Sequence, residues 1–399
     1  METVGIICEY NPFHNGHARQ LRLIRQAMGE DCAVVCLMSG NYVQRGEPAV
    51  FPKMLRAEAA LRCGANLVLE LPLTAALSSA EGFAFSGVSI LSELGCDRLC
   101  FGVETRDTEA LLCSAKANLD PRFDGLLRQQ LDSGCSYAAA RQLALEALGA
   151  GAGLSSPNDI LAVEYCKALL RLNSPMHPLP LYRTGSYHAP ELDPEAPSAS
   201  ALRRALTADG PAVPHWQEAV PDCLRELYAT APVHTLEAGE RAVLALLRCL
   251  PEEGFRALPY GTEGLWSKLM KNCRRCASVE QIVEQTKSKR YARARIRRML
   301  LCAVLGLSRQ ALETPPPYVR ILGFDGKGRR LLRGMKKRFA LVNAGERPAE
   351  ERYYALETRA GDLYGLFSRD APEPAAAEAG LRILCRCEEE AVPACPPQS

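Results

Sequence analysis

The chain has 399 residues, enough for two or three domains of about 100–200 residues each, and 47% of its residues are hydrophobic, which suffices for packed cores. Its formal net charge of +2 excludes a protein that is a polycation throughout. The first apolar run is too short for a signal peptide, and no apolar stretch reaches the ~18–20 residues that span a bilayer. We therefore expect the 17 cysteines to be reduced thiols in a cytoplasmic protein without a membrane anchor.

Short apolar runs and amphipathic patterns alternate over residues 1–190. The apolar runs predict strands at residues 4–8, 32–38, 67–71, 98–101 and 179–182. The amphipathic patterns predict helices between most of them, at residues 18–27, 53–63 and 81–94. This alternation predicts a parallel, doubly wound sheet with right-handed crossovers, whose ligands bind beyond the carboxyl ends of the strands.

The rest of the chain is mostly helical. Helical patterns cover residues 107–172 and 201–312, and residues 189–198, rich in proline, alanine and acid, predict a loop. Beyond the three prolines at residues 315–317, strands are predicted at residues 318–324 and 340–343, with a helix at 328–337 between them. The acidic, proline-containing end from residue 388 predicts disorder.

These patterns divide the chain into three parts. Residues 1–208 predict an α/β, Rossmann-like domain with a parallel sheet. Residues 209–314 predict a mostly helical, basic region, and residues 315–399 a small α/β region with a disordered tail. We expect no metal site, because the single C-x-x-C, Cys273 to Cys276, has neither a second pair nor a nearby histidine.

The sequence His14-Asn15-Gly16-His17 lies where the first predicted strand gives way to the first helix. Unpaired N–H groups and a partial positive charge attract phosphates to a helix N-terminus. Imidazole N–H groups aimed at the same place would add donors, and Gly16 would let a ligand approach the backbone closely. We interpret the motif as a nucleotide site where an α-phosphate is attacked, although histidines at this spacing also occur on ordinary surface helices.

The second motif is Ser198-Ala199-Ser200-Ala201-Leu202-Arg203. Its hydroxyls could cap a helix, and they could equally hold a pyrophosphate, with the arginine as a fork-shaped donor. Paired with the first motif, it predicts donors that stabilise charge developing on the phosphates by positioning and electrostatics. The candidate catalytic residues are therefore His14, His17, Ser198, Ser200 and Arg203.

Together the two motifs are the signature of the HIGH-superfamily nucleotidyltransferases, which this chain resembles. Longer blocks resemble one family in particular, the tRNA(Met) cytidine acetate ligases. These blocks occur in the family's order, and they are residues 4–17, 38–49, 101–104, 157–161 and 288–298. No such match was found beyond about residue 350.

The resemblance implies an activity, its substrates and its binding residues. The family is understood to form acetyl-adenylate from ATP and acetate, and then to transfer the acetyl group to N4 of the wobble cytidine of elongator tRNA(Met), giving N4-acetylcytidine. Mg²⁺ is a candidate companion of the ATP. The ATP-site residues that the resemblance implies are Ile7, Cys8, Glu9, Tyr10, Asn11, Pro12, Phe13, His14, Asn15, Gly16, His17, Ala18, Arg19, Gln20, Gly102, Asn158 and Arg183.

Three of the candidate residues on loops and helix starts have two interpretations each. Arg45, in a polar loop beside Gly46, could contact phosphate or the tRNA anticodon, or could simply be solvated. Asn158, at a helix start, could cap that helix or bind the ligand. Gly102, after a strand, could serve a turn or let adenosine lie against the backbone.

Positive charge is concentrated between Trp266 and Leu300. Eleven lysines and arginines there face two glutamates, so the segment carries 11 − 2 = +9 in a chain whose total is +2. Such a concentration indicates a polyanion partner, and a tyrosine among the arginines could stack on a base, although a solvated helix face would have the same composition. The candidate tRNA contacts are Arg45, Lys289, Arg290, Tyr291, Arg293, Arg295, Arg297 and Arg298.

Three other functions fit parts of the sequence less well. A small-molecule adenylyltransferase of the same superfamily would not need the helical, basic half of this chain. A non-catalytic RNA-binding protein is disfavoured because both histidines, both serines and Arg203 are present. A tRNA synthetase-like enzyme is disfavoured because residues 198–203 stand where a K-M-S-K-S-type loop would be expected.

Overall fold

The computed structural model describes residues 1–150, 156–182, 197–208, 214–375 and 377–386. Arg183, most of the loop predicted at 189–198 and the tail predicted from residue 388 lie outside these described residues. Within them, no helix combines the length and the apolarity required to cross a membrane.

The strands occur close to their predicted positions. They are β1 (Thr3–Cys8), β2 (Ala33–Ser39), β3 (Tyr42–Val43), β4 (Glu47–Pro48), β5 (Leu67–Leu71), β6 (Arg98–Val103), β7 (His177–Tyr182), β8 (Val319–Asp325), β9 (Leu341–Asn343) and β10 (Leu384–Arg386). The short hairpin of β3 and β4 was not predicted, and neither was β10, because such short strands leave little periodic pattern.

Helices fill most of the intervals. In the first part they are α1 (Asn15–Met28), α2 (Lys53–Arg62), α3 (Leu73–Ala76), α4 (Ala80–Leu94), α5 (Thr108–Asn118), α6 (Phe123–Asp132), α7 (Tyr137–Ala147), α8 (Pro157–Arg171) and α9 (Ala199–Ala208). Later come α10 (Asp222–Ala229), α11 (Glu240–Cys249), α12 (Glu252–Arg256), α13 (Leu265–Arg275), α14 (Val279–Thr286), α15 (Arg293–Leu305), α16 (Arg309–Glu313), α17 (Gly326–Met335), α18 (Glu351–Tyr364) and α19 (Ala377–Gly380). Two 3₁₀ turns cover Pro214–Ala219 and Gly365–Phe367.

The main sheet has the predicted doubly wound order. Its strands run β10-β8-β5-β2-β1-β6-β7, with β9 beside β8. Pairing is parallel except between β5 and β8. The chain passes from β1 outward through β2 to β5 and then returns to the other side of β1 as β6. The strand order therefore reverses between β1 and β6, and a ligand site is expected at their carboxyl ends.

Both faces of the sheet are buried, as expected for parallel strands between helices. Consecutive residues Val34 and Val35 of β2 are fully buried and belong to two different hydrophobic clusters, one on each face. A third cluster is formed by the helical region, where Ile296, Met299 and Cys302 of α15 are inaccessible. This helical cluster includes Tyr42 of the small hairpin, which ties the two parts of the molecule together.

The C-terminal strands join the first sheet. β8 runs antiparallel to β5, with Leu67 opposite Phe324 and Glu70 opposite Arg320. β9 and β10 then pair with β8 in parallel. Strands that come last in the chain thus cover the β5 edge of the N-terminal sheet.

A buried ionic cluster lies where these C-terminal elements meet the sheet. The Lys53 ammonium contacts Glu70 at 2.8 Å and Glu378 at 2.6 Å, and all three residues are buried. Nearby, Arg320 donates to Glu357 at 2.7 Å. Burial, reinforced by Glu378 and Glu357 and opposed by Lys53, raises the pKa of Glu70 to about 7.

Candidate active site

A cavity of about 360 Å³ opens at the carboxyl ends of β1 and β6. Ile7 and Cys8 of β1, with Cys100 and Phe101 of β6, form its floor. This is the position at which the strand order reverses. The cavity therefore lies where a doubly wound sheet binds its ligand.

The two histidines of the first motif cap helix α1. His14 is the N-cap residue, and its Nδ1 accepts the Gly16 N–H at 3.1 Å, while His17 Nδ1 accepts the His14 N–H at 3.3 Å. Their rings are stacked, with centroids 3.8 Å apart. Because Nδ1 of each ring accepts a hydrogen bond, we assign the proton of the neutral ring to Nε2. Both rings line the cavity, so the same imidazoles can cap the helix and present N–H donors.

Gly16 serves this cap directly. A Cβ at Gly16 would lie 2.9 Å from Cε1 and 3.0 Å from Nδ1 of His14. Those distances are shorter than ordinary side-chain contacts. The absence of a side chain at Gly16 therefore makes room for the His14 ring. It also leaves the backbone open to the close approach of a ligand.

The second motif lies beside the first, at the N-terminus of α9, since a Cβ at Gly16 would lie 4.0 Å from the carbonyl oxygen of Pro197. Ser198 Oγ accepts the Ala201 N–H at 3.1 Å and lies 3.2 Å from Ser200 Oγ. Arg203 Nη1 donates to the carbonyl of Asn11 at 2.7 Å, inside the loop between β1 and α1. Ser198, Ser200 and Arg203 all line the cavity. Two helix N-termini, α1 and α9, thus converge on one space and make it attractive to an anion.

Another wall of the cavity is built by β6 and α8. Gly102, at the end of β6, and Asn158, in the first turn of α8, line the cavity. The cap of α8 is Ser156, whose Oγ accepts the Asp159 N–H at 3.1 Å, so Asn158 is not the N-cap. The Nδ2 of Asn158 donates instead to Glu104 Oε1 at 2.7 Å. Asp159 holds the same loop, because its Oδ1 accepts the Glu104 N–H at 2.8 Å.

Not all of the predicted ATP-site residues reach the cavity. Those that line it are Ile7, Cys8, Glu9, Tyr10, Asn11, His14, Gly16, His17, Arg19, Gln20, Gly102 and Asn158. Phe13 and Ala18 are buried core residues, and Asn15 Nδ2 donates to the Glu218 carbonyl at 2.8 Å. Pro12 follows a cis peptide bond in the same loop. Arg183 lies outside the described residues.

The apolar side chains that line the cavity were not predicted from the sequence. Phe83 of α4, Tyr165 and Leu161 of α8, and Leu181 and Tyr182 of β7 line it. These residues look like ordinary core positions in the sequence. The one available signal was their place on elements that follow or precede strand ends.

The β3–β4 hairpin closes the cavity on the side of the helical region. Gln44, Arg45 and Glu47 line the cavity, and the Gln44 N–H donates to Glu9 Oε1 at 2.7 Å. Gly46, at φ +77°, lies so close to α15 that a Cβ there would collide with the backbone N of Arg298. Arg45 thus lies at the cavity, and its role as a phosphate or anticodon contact stays a prediction.

Several guanidinium groups of the basic segment are engaged within the protein. Arg293 pairs with Glu280 and Glu284, and Arg297 pairs with Glu47 of the hairpin. Arg298 is 8% exposed and donates to the Gln44 carbonyl at 3.1 Å.

The residues just before α15 are more accessible. Lys289 and Arg290 are exposed, although Arg290 reaches Glu263 at 2.8 Å. The Tyr291 hydroxyl donates to Glu263 at 2.7 Å, and Arg295 lies over the Tyr291 ring at 4.9 Å. Of the candidate tRNA contacts on this segment, Lys289 and Arg290 are the most exposed, and Arg298 is buried.

In the described part of the chain, no group of three or more His, Cys, Asp and Glu side chains could hold a metal ion. At the cavity, Glu9 accepts the Gln44 N–H and Glu47 pairs with Arg297. The carboxylates at the cavity thus have protein partners.

The chain is similar to known proteins over nearly its whole length. Residues 1–378 match the family model described as HIGH Nucleotidyl Transferase. The tRNA(Met) cytidine acetate ligase of Acetivibrio thermocellus is 34% identical over 394 residues, covering 91% of this chain and 94% of that protein. The protein of the same name from Caldanaerobacter subterraneus is 37% identical over 359 residues, covering 86% and 88%.

Solved structures show the same similarity. Thermotoga maritima TmcAL in its apo form superposes with a TM-score of 0.86 at 28% identity, covering 97% of this chain and 100% of that one. A second structure of that protein, bound with alpha-thio ATP, superposes with a TM-score of 0.84 and the same coverage.

Proposed function

The chain belongs to the tRNA(Met) cytidine acetate ligase family of HIGH nucleotidyltransferases, and we propose that its cavity makes acetyl-adenylate for transfer to tRNA. ATP and acetate would give acetyl-adenylate and pyrophosphate. The N4 amine of the wobble cytidine of elongator tRNA(Met) would then take the acetyl group and release AMP. One observation carries the proposal: the two motifs, far apart in the sequence, lie side by side and line one cavity at the reversal of the strand order.

The walls of the cavity suggest how ATP binds. The glycine end of β6 and the apolar side chains of α8 and β7 offer a surface for adenosine. The N-termini of α1 and α9 then receive the phosphates. The Thermotoga maritima relative binds an ATP analogue, which supports a nucleotide in this fold.

The side chains supply positioning and electrostatic stabilisation. Attack of an acetate oxygen on the α-phosphorus increases negative charge on the non-bridging oxygens and on the leaving pyrophosphate. His14 and His17 would donate Nε2–H groups to that charge, and Ser198, Ser200 and Arg203 would add donors from the neighbouring motif. No acyl group needs to be attached to the protein, so the cysteines need no catalytic role.

We propose that Mg²⁺, where it is used, arrives bound to the ATP phosphates. Magnesium commonly binds through substrate phosphates and one or two carboxylates, while it keeps several waters. The partners of Glu9 and Glu47 within the protein support this arrangement.

The helical region would hold the tRNA so that a loop base reaches the cavity. An unpaired anticodon base is accessible without melting a duplex. Lys289 and Arg290 are exposed just before α15, the helix that contacts the β3–β4 hairpin, and Arg45 of that hairpin lines the cavity. A tRNA substrate would be consistent with the expected cytoplasmic location.

The test is the incorporation of radiolabelled acetate into purified elongator tRNA(Met). Label in N4-acetylcytidine that requires ATP, acetate and tRNA together would support the proposal. Adenylylation of another small molecule, with no label in tRNA, would instead indicate the small-molecule adenylyltransferase. Binding of tRNA with no turnover of ATP would indicate a non-catalytic RNA-binding protein.

A further inference from the structure

Two cysteines far apart in the sequence meet on the side of the sheet behind the nucleotide loop. Cys63 follows the last residue of α2, and Cys223 lies in the first turn of α10. Their Sγ atoms are 3.9 Å apart, and both residues are half-buried. The two sulfur atoms are thus close enough that side-chain rotation could bring them towards the ~2.05 Å of a disulfide bond.

The surroundings of the pair favour a thiolate at Cys223. The hydrogen bond from Cys63, with the positive charges of Arg62 and Arg386, lowers the pKa of Cys223 to about 7 against the opposing effect of burial. Other charged side chains nearby are already paired: Glu58 with Arg62, and Asp222 with Arg225.

Most other thiols of the described chain differ from this pair. Burial raises the pKa of Cys96, Cys166 and Cys302 to about 12, so these thiols are unreactive. Cys249, by contrast, is exposed at the end of α11. It provides an accessible thiol for comparison.

The two helices that carry the pair also hold the nucleotide loop. From α2, Arg56 donates to the carbonyls of Glu9 at 2.6 Å and Ser39 at 3.0 Å. From α10, the Tyr228 hydroxyl donates to the carbonyl of Phe13 at 3.1 Å. A covalent link between α2 and α10 would therefore fix two of the supports of the loop that carries His14.

We propose that Cys63 and Cys223 form a dithiol site that is reversibly oxidised by low-molecular-weight disulfides. The Cys223 thiolate attacks one sulfur of the disulfide, forms a mixed disulfide and releases one thiolate. Cys63 then loses its proton to solvent and attacks the Cys223 sulfur, which closes the Cys63–Cys223 bond and releases the second thiolate. One external disulfide is reduced to two thiols, and the protein loses two hydrogen atoms.

The experiment treats the full-length protein with oxidised glutathione and follows its intact mass and peptide map. The expected product has lost two hydrogen atoms, carries no glutathione and yields one linked peptide containing Cys63 and Cys223. It should unfold about 5 °C higher than the reduced protein, because the bridge closes a long loop, and dithiothreitol should reverse the shift. A linked peptide with any other pairing, or an unchanged midpoint in the linked protein, would overturn the proposal.

Two variants separate the roles of the thiols. Cys63→Ser should stop the reaction at a stable glutathione adduct on Cys223, whereas Cys223→Ser should leave Cys63 unmodified. In the untreated protein at pH 7, iodoacetamide should alkylate Cys223 about tenfold faster than Cys249. Equal rates at these two residues, or glutathione found mainly on Cys249, would contradict the assignment.

Discussion

The nucleotide cavity and the basic segment before and within α15 were both predicted from short stretches of sequence. The residues predicted for the cavity come together there, whereas several arginines of the basic segment pair with other parts of the protein. In the cavity, the residues of both motifs line a common space. In the basic segment, Arg293, Arg297 and Arg298 are used to hold the protein together. Spacing around a helix start therefore predicted geometry, whereas a count of charges overstated the surface available to a polyanion.

The physical reason is the range of each interaction. A helix N-terminus and its capping residues are close in sequence, so a motif of four residues fixes where the imidazoles lie. The partner of an arginine can come from anywhere in the fold. Glu47, which pairs with Arg297, precedes it by most of the chain.

The largest expected effect is at the first motif. His17→Ala should lower the rate of acetate-dependent ATP–pyrophosphate exchange, measured without tRNA, by about 10²–10³-fold, because a donor to developing charge is lost. Arg22→Ala, on the exposed side of the same helix, is the matched control and should leave exchange unchanged. Exchange by His17→Ala at the wild-type rate would remove this histidine from catalysis.

The second prediction concerns the ion pair between Glu47 of the β3–β4 hairpin and Arg297 of α15, and asks whether it affects ATP binding. Glu47→Arg should raise KM for ATP roughly tenfold, since like charges would then push the hairpin that carries Arg45 away from α15. The double exchange Glu47→Arg with Arg297→Glu should recover most of the loss. If the double variant is as impaired as the single one, the ion pair does not position the hairpin.

A smaller effect separates exposed cations from engaged ones. Lys289→Ala should weaken tRNA binding by about threefold to tenfold and reduce the salt dependence by about one phosphate contact. Arg293→Gln, whose guanidinium pairs with α14, should change tRNA affinity less and thermal stability more. Filter binding over a range of salt concentrations measures the tRNA affinity of each variant, and thermal unfolding measures its stability. Equal losses of affinity would mean that pairing of the arginine within the protein is irrelevant to tRNA binding.

The smallest effect concerns the buried carboxyl group of Glu70, on strand β5. Glu70 has a folded-state pKa of about 7, raised above its unfolded value near 4.5, so its contribution to stability is fully present below pH 4.5 and is lost as the pH rises through 7. Urea unfolding should therefore show a fall in stability between pH 5 and 8, on the order of 1 kcal/mol, that Glu70→Gln reduces. An identical pH dependence in the variant would show that another group titrates.

The features of the fold and of the site that could be predicted from the sequence are those set by residues close together in the chain. The strands of the parallel sheet, the helices between them and the position of both motifs were predicted, because periodicity and capping are local. The antiparallel placement of β8 beside β5, the pairing of Arg297 with Glu47 and the contact of Cys63 with Cys223 depend on residues far apart in the chain. No local pattern specifies such contacts, and the role of Ser156 rather than Asn158 as the cap of α8 shows that even a local pattern can be off by two residues.

The position of β8 has a consequence for synthesis on the ribosome. Until residue 325 has emerged, the outer edge of β5 has no strand beside it, and its backbone N–H and C=O groups are open to pairing with another chain. The nucleotide-binding half is made first, yet its sheet is completed by residues made near the end. A fragment ending at residue 208 should accordingly aggregate more readily than the full chain, and a nascent chain is most vulnerable during the interval in which the helical region is being translated.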